Sequence, residues 1–150
     1  MIARARLQRH LQLLKPSFAR AMSTVKDDGT KTIFDKTKTI FDKILNGTIP
    51  SDCVHETDHV YCFRDVNPVS PTHVLCIPKV RDGLTGLNMA EERHESILGK
   101  LMVAASTVAK LENLNDGYRI VVNDGKEGCQ SVLHLHLHVI GGRQLAWPPG

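Results

Sequence analysis

The stretch Ser131-Val132-Leu133-His134-Leu135-His136-Leu137-His138-Val139-Ile140 constrains this chain more than any other. Three histidines stand at every second position, with only apolar residues between them. A β-strand sends successive side chains to opposite faces. As a strand over 132–140, the stretch puts His134, His136 and His138 on one face. Leu133, Leu135, Leu137 and Val139 go to the other, against a core. A helix would scatter imidazoles and leucines around its whole circumference. The spacing therefore predicts a strand.

Three readings of the row compete. It is a polar sheet face that happens to be rich in histidine, a metal site, or a centre for chemistry on a phosphate. Imidazole is a good zinc ligand, and His-x-His on a strand supplies two. Same-face neighbours on one strand lie roughly 6.6 Å apart at the backbone. Two such rings converge on an ion about 2 Å from each, and a third reaches it with difficulty. A neutral imidazole is also a nucleophile at neutral pH, and a second, protonated one donates to a leaving group. The segment before the row favours this third reading. Asn123-Asp124-Gly125-Lys126-Glu127-Gly128-Cys129-Gln130-Ser131 is a Gly-containing turn followed by a hydroxyl. Such a turn aims backbone N–H groups and a Ser hydroxyl at an anion.

The row at 134–140 resembles the signature of the histidine triad (HIT) superfamily. Its surroundings resemble the Hint branch, the histidine triad nucleotide-binding proteins. The matching segments are Thr39–Ile44, Phe63-Arg64-Asp65-Val66-Asn67-Pro68, Pro71–Lys79, Gly117–Asn123, Gly141-Gly142-Arg143-Gln144 and Trp147–Gly150. They agree in order and spacing from about residue 39 onward. Residues 79–87 and 90–94 are most similar to plant and algal members.

The formal net charge of +3 conceals two parts. Residues 1–26 hold six of the 19 Lys and Arg and none of the 16 acids, so the remainder is mildly acidic. It offers no basic face of the kind that nucleic acid needs. No apolar run reaches membrane-spanning length. The four cysteines form no C-x-x-C pair. Cys62 and Cys76 read as small buried hydrophobes, and a reducing compartment fits better than a disulfide framework.

Residues 1–29 form an N-terminal extension that contributes nothing to the fold. The Arg-rich, acid-free, amphipathic composition of residues 1–26 reads as a transit peptide, mitochondrial more than plastid because Ser and Thr are few. A solvated tail is the plainer alternative, and a start at Met22 would leave the product cytoplasmic or nuclear. Residues 30–43 repeat the heptad Thr-Lys-Thr-Ile-Phe-Asp-Lys. The second copy leads into Ile44-Leu45-Asn46-Gly47 and predicts a short helix with Ile40, Phe41, Ile44 and Leu45 as its apolar face. The segment 30–38 is then surplus, and the domain spans 39–150. Strands follow at 54–56, 60–65 and 72–77. A helix N-capped by Asn88, with Glu91 completing a capping box, runs to about Leu114. Its apolar positions are Ile97, Leu98, Leu101, Met102, Ala105, Val108 and Ala109. Strands at 118–122 and 132–140 complete an α+β domain with a five-stranded antiparallel sheet, one short helix and one long one. The resemblance implies the same HIT-like fold, and a homodimer that joins two sheets through the long helix and the fourth strand.

The resemblance also implies roles. His136 matches the nucleophile that attacks the α-phosphorus and forms a nucleotidyl-histidine intermediate. His138 matches a contact to phosphate and leaving group, His134 a residue that orients the nucleophile, and His73 a fourth histidine beside the row. Asp65 matches the acid that binds the ribose hydroxyls. Val66, Ile40, Phe41, Ile44 and Phe63 match an apolar slot for the purine, although by residue type alone they read as core. Asn123, Cys129, Gln130 and Ser131 match the phosphate loop, and Trp147 matches a residue reaching the partner's site. The implied substrate is a purine nucleotide, and the implied reaction is hydrolysis of a nucleoside 5′-phosphoramidate. Cleavage of adenylyl sulfate is a related alternative. Two others are a zinc-binding module and a nucleotide-binding scaffold without significant catalysis. No metal or cofactor is needed if imidazoles supply both nucleophile and acid.

Overall fold

The computed structural model describes residues 38–149. The N-terminal extension and the first heptad copy lie outside the described residues. The second copy opens the domain. The Thr39 hydroxyl accepts the Asp42 N–H at 3.3 Å, and the Asp42 carboxylate accepts the Thr39 N–H at 2.6 Å. This reciprocal cap starts helix α1, Ile40–Leu45. Gly47, at φ +76°, takes the left-handed conformation just beyond its end.

Five strands follow: β1 (Cys53–Glu56), β2 (Val60–Arg64), β3 (Thr72–Pro78), β4 (Tyr118–Val121) and β5 (Leu137–Gly141). They form one antiparallel sheet in the order β1-β2-β3-β5-β4. All seven residues of β3 are buried, as a central strand covered on both faces requires. The long helix α2, Glu95–Leu111, packs on one face. There Leu101, Ala104, Ala105, Val108 and Ala109 meet Val60, Cys62, Val74, Cys76, Leu135, Leu137 and Val139. The opposite face carries α1, where Phe41 packs with Phe63, Leu75 and Ile77. Period-two alternation thus sorts β2 and β3 between a larger core and a smaller one.

Several expectations are corrected. The last strand begins at Leu137, not 132. Leu133, assigned to the core, is 62% exposed. The long helix begins at Glu95, after two single 3₁₀ turns at Leu87–Met89 and Glu92–His94. Asn88 does not cap it, because it lies inside the first of these turns, where its N–H donates to the Asp124 carboxylate at 3.2 Å. Ala90 is extended (ψ 137°), which breaks the helical path there. Glu91 caps the second turn instead, with its N–H donating to buried His94 Nδ1 at 3.0 Å. On α2, Met102 points outward and is half exposed.

No helix among the described residues is long and apolar enough to cross a membrane. Cys62 and Cys76 are fully buried, opposite one another on β2 and β3. The proximity of Cys62 and burial together push the Cys76 thiol far above its ordinary value.

Leu101 is wholly inaccessible at the centre of the larger core. Leu101→Ala should therefore destabilise the domain by about 2–5 kcal/mol in denaturant unfolding.

Candidate active site

β5 delivers only His138 of the row. It pairs with Leu75 on β3, and His73 stands two residues earlier on the same face of β3. His134 and His136 precede the ladder, yet the alternation of faces persists. Leu135 enters the α2 core, while the rings of His134 and His136 lie 5.7 and 5.2 Å from Phe41 on the α1 side. The row therefore presents one face, as the spacing predicts. The ladder starts late because these backbone groups are used elsewhere. The His134 carbonyl accepts from His136 Nδ1 at 2.7 Å. The Leu135 N–H donates to the Leu84 carbonyl at 2.9 Å, and the Leu133 carbonyl accepts from buried Arg81 at 3.1 Å.

Carbonyl oxygens only accept, so these contacts fix the tautomers. His136 must carry its proton on Nδ1, which leaves the lone pair on Nε2. His134 donates Nε2–H to the Pro78 carbonyl at 2.9 Å. The His134 backbone therefore orients the His136 ring, while the His134 ring is anchored to the end of β3. A second chain fixes His138. The Val69 N–H donates to His73 Nδ1 at 3.3 Å, so His73 holds its proton on Nε2 and donates to His138 Nδ1 at 2.9 Å. His138 then carries N–H on Nε2, and this buried atom has no hydrogen-bond partner among the described residues. A lone-pair nitrogen and an N–H donor stand side by side, their rings 5.0 Å apart.

Burial pushes all three row histidines below the ordinary 6.5. For His138, burial and then the neighbouring His136 and His73 take it down to about 4. The free site therefore holds neutral imidazoles at pH 7. Burial thus favours a neutral His138 that donates through Nε2–H over a protonated second imidazole.

His136 and His138 line a cleft of about 750 Å³ beneath α1. Ile40, Phe41, Ile44, Phe63, Asp65, Val66 and Ser131 line it too. The slot residues are not uniformly core. Phe41 and Phe63 are buried, Ile40 is 50% exposed, and Val66 at the rim is 90% exposed. Asp65 holds a turn, accepting the Asn67 N–H at 2.8 Å, while its other oxygen lies 3.5 Å from His73 Nε2. Leu75 and Val132 also line the cleft and were not anticipated. The alternation of Leu75 with core residues Val74 and Cys76, two positions from His73, was the available signal.

Asn123, Cys129 and Gln130 lie outside the cleft lining. Cys129 is exposed at φ +59°. A Cβ on Gly128 would sit 2.3 Å from the Asp124 carbonyl, so the turn is tight. Trp147 is 83% exposed and also outside the cleft.

The metal reading has one candidate among the described residues. Ligand atoms of Asp65, His73 and His138 lie within 4.8 Å of one another. A zinc ligand nitrogen must offer a lone pair. His73 presents N–H there, and moving the proton to Nδ1 would set it against the Val69 N–H. The donor set as arranged does not fit zinc.

A neutral imidazole lone pair beside an N–H donor, in an apolar cleft rimmed by a carboxylate, suits nucleophilic chemistry on a group bound in that cleft. The chain belongs to the HIT family, whose HIT domain matches residues 46–145. It is similar to plant Hint-type proteins. The adenylylsulfatase HINT1 of Arabidopsis thaliana is 59% identical over 119 residues, covering 79% of this chain and 76% of that protein. A 14 kDa zinc-binding protein of Zea mays is 58% identical over 123 residues, covering 82% and 91%. The crystal structure of a HIT family hydrolase from Legionella pneumophila Philadelphia 1 superposes with a TM-score of 0.72 at 39% identity, covering 75% of this chain and all of that one.

The depressed histidines set the pH dependence. Their neutral forms are favoured by folding, so this stability is full above pH 6.5 and is lost as pH falls towards the folded values. The nucleophile must likewise be neutral. The acid limb of kcat/KM, which reports the free enzyme, should fall below pH 6.5. A limb centred above 6.5 would contradict the burial argument.

Proposed function

We propose that the protein hydrolyses purine nucleoside 5′-phosphoramidates to the nucleoside monophosphate and an amine. The observation that carries this reading is the Nδ1–H of His136 held by the His134 carbonyl at 2.7 Å. It commits the Nε2 lone pair of a cleft-lining imidazole to reaction.

In this reading the purine enters the slot of Ile40, Phe41, Ile44, Phe63 and Val66, and Asp65 takes the ribose hydroxyls as a double acceptor. His136 Nε2 attacks the α-phosphorus, forming a P–N bond as the bond to the amine breaks. The amine takes a proton from solvent at the open mouth. His138 Nε2–H and the Ser131 hydroxyl stabilise charge on the phosphoryl oxygens. Water then attacks phosphorus, releasing AMP and restoring His136. Splitting one displacement into two lowers each barrier.

The protein acts as a homodimer in this reading. Among the described residues β4 is an edge strand of the sheet, and Met102, Val103 and Tyr118 are exposed apolar residues on α2 and β4. The composition of residues 1–29 supports delivery to the mitochondrion. The similarity to an adenylylsulfatase favours a second reading, in which sulfate is the leaving group at the same phosphorus. Rates on adenosine phosphoramidates, lysyl-adenylate and adenylyl sulfate, compared on one preparation, decide the leaving group. Failure to cleave any of them would overturn the hydrolytic reading.

His136→Ala should reduce kcat by at least about a thousandfold, because it deletes the nucleophile. Near-intact turnover would exclude the covalent route. EDTA treatment should leave turnover unchanged, and loss restored by added zinc would contradict the tautomer argument.

A further inference from the structure

The loop after β3 and the turn before the row meet beside the active site, and the reaction as drawn uses no side chain at that meeting point. Gln130 occupies it. Its Nε2 donates to the Thr85 carbonyl at 2.5 Å and to the Val132 carbonyl at 3.0 Å. Its Oε1 accepts the Gly125 N–H at 3.0 Å. The two carbonyls require the nitrogen on their side and the N–H requires the oxygen on the other, so one amide orientation fits all three. The backbone N–H of Gln130 also donates to the Gly125 carbonyl at 3.0 Å.

The contact is close-packed. A Cβ on Gly86 would lie 2.4 Å from Asp124 Oδ1 and 3.1 Å from Gln130 Oε1. Asn88 N–H donates to the same Asp124 oxygen. The loop also holds the row itself, through the Leu84 carbonyl and the Leu135 N–H that lies between His134 and His136. Residues 131–136 lie outside the strand ladder. Their placement therefore depends on such cross-loop bonds. Gln130 ties this segment, at Val132, to the loop, at Thr85, and to the turn, at Gly125.

We propose that Gln130 is a positioning residue for His136, acting through its carboxamide, and not a ligand of the nucleotide. This rests on the reading of His136 as nucleophile. Without the carboxamide, the turn loses its bonds to Thr85 and Val132, and the Asn88–Asp124 contact is left to hold it to the loop. A displacement of about 1 Å in a reacting group costs on the order of a hundredfold in rate.

The test is steady-state kinetics of Gln130→Met and Gly86→Ala on an adenosine phosphoramidate, with the Kd for AMP and the Tm of each variant. Gln130→Met keeps the side chain's bulk and removes its hydrogen bonds. Gly86→Ala wedges the same contact from the loop side. Both should lose about 10- to 100-fold in kcat, with KM and the AMP Kd held within about threefold. Should Gln130→Met not fold, Gly86→Ala carries the measurement. A rise in KM and AMP Kd at constant kcat would make Gln130 a nucleotide ligand and overturn the proposal. A lowered Tm with unchanged kcat would reduce it to a structural strap and overturn it equally. His136→Ala run alongside separates the two readings. If it keeps its turnover, the nucleophile assignment fails. If it is dead while both loop variants turn over normally, only the role of Gln130 fails.

Discussion

One hydrogen bond, from the His136 ring to the carbonyl two residues earlier, organises the active side of this protein. It dictates which nitrogen of His136 holds the lone pair. It also occupies a carbonyl that a strand would offer to its neighbour. The segment carrying His134 and His136 is thereby drawn off the ladder with β3 and must be held by other means. Those means are the Leu84 carbonyl, the Arg81 guanidinium and the Gln130 carboxamide. The same contact links tautomer and backbone path, so neither is free to vary alone.

His138 shows a different solution to the same problem. It lies within the β5 ladder, and a neighbouring ring fixes its tautomer. The chain runs from a backbone N–H at Val69 through His73, and it ends on an N–H directed at the cleft. The two histidines thus reach opposite protonation patterns, one accepting and one donating at Nε2, although both are neutral. Burial supplies the neutrality and fixed partners supply the difference.

Much of this was legible in the residues. Period-two alternation correctly placed three imidazoles on one face and Leu135, Leu137 and Val139 on the other. The Thr39–Asp42 cap and the apolar face at Phe41 and Ile44 marked the short helix. The limits of the strand were not legible, because β-propensity at 132–136 cannot reveal that side chains take its hydrogen bonds. The Asn88 cap failed for a related reason: a cap-like residue was recruited by Asp124, 36 residues away. The exposure of Leu133 follows from the same departure from the ladder. Asn123, Cys129, Gln130 and Ser131 were assigned by resemblance to the phosphate loop, and of these Ser131 lines the cleft.

The sheet places its two helices on opposite faces, with the chemistry confined to the side of the shorter one. Residues that give the fold its bulk, such as Leu101 and Val108, are therefore insulated by a full layer of strands from those that line the cleft. Sequence drift in one layer need not be compensated in the other. A lineage could remodel the outer surface of the long helix for new associations, or reshape the rim around Val66 for a different leaving group, and each history would leave the other inheritance intact.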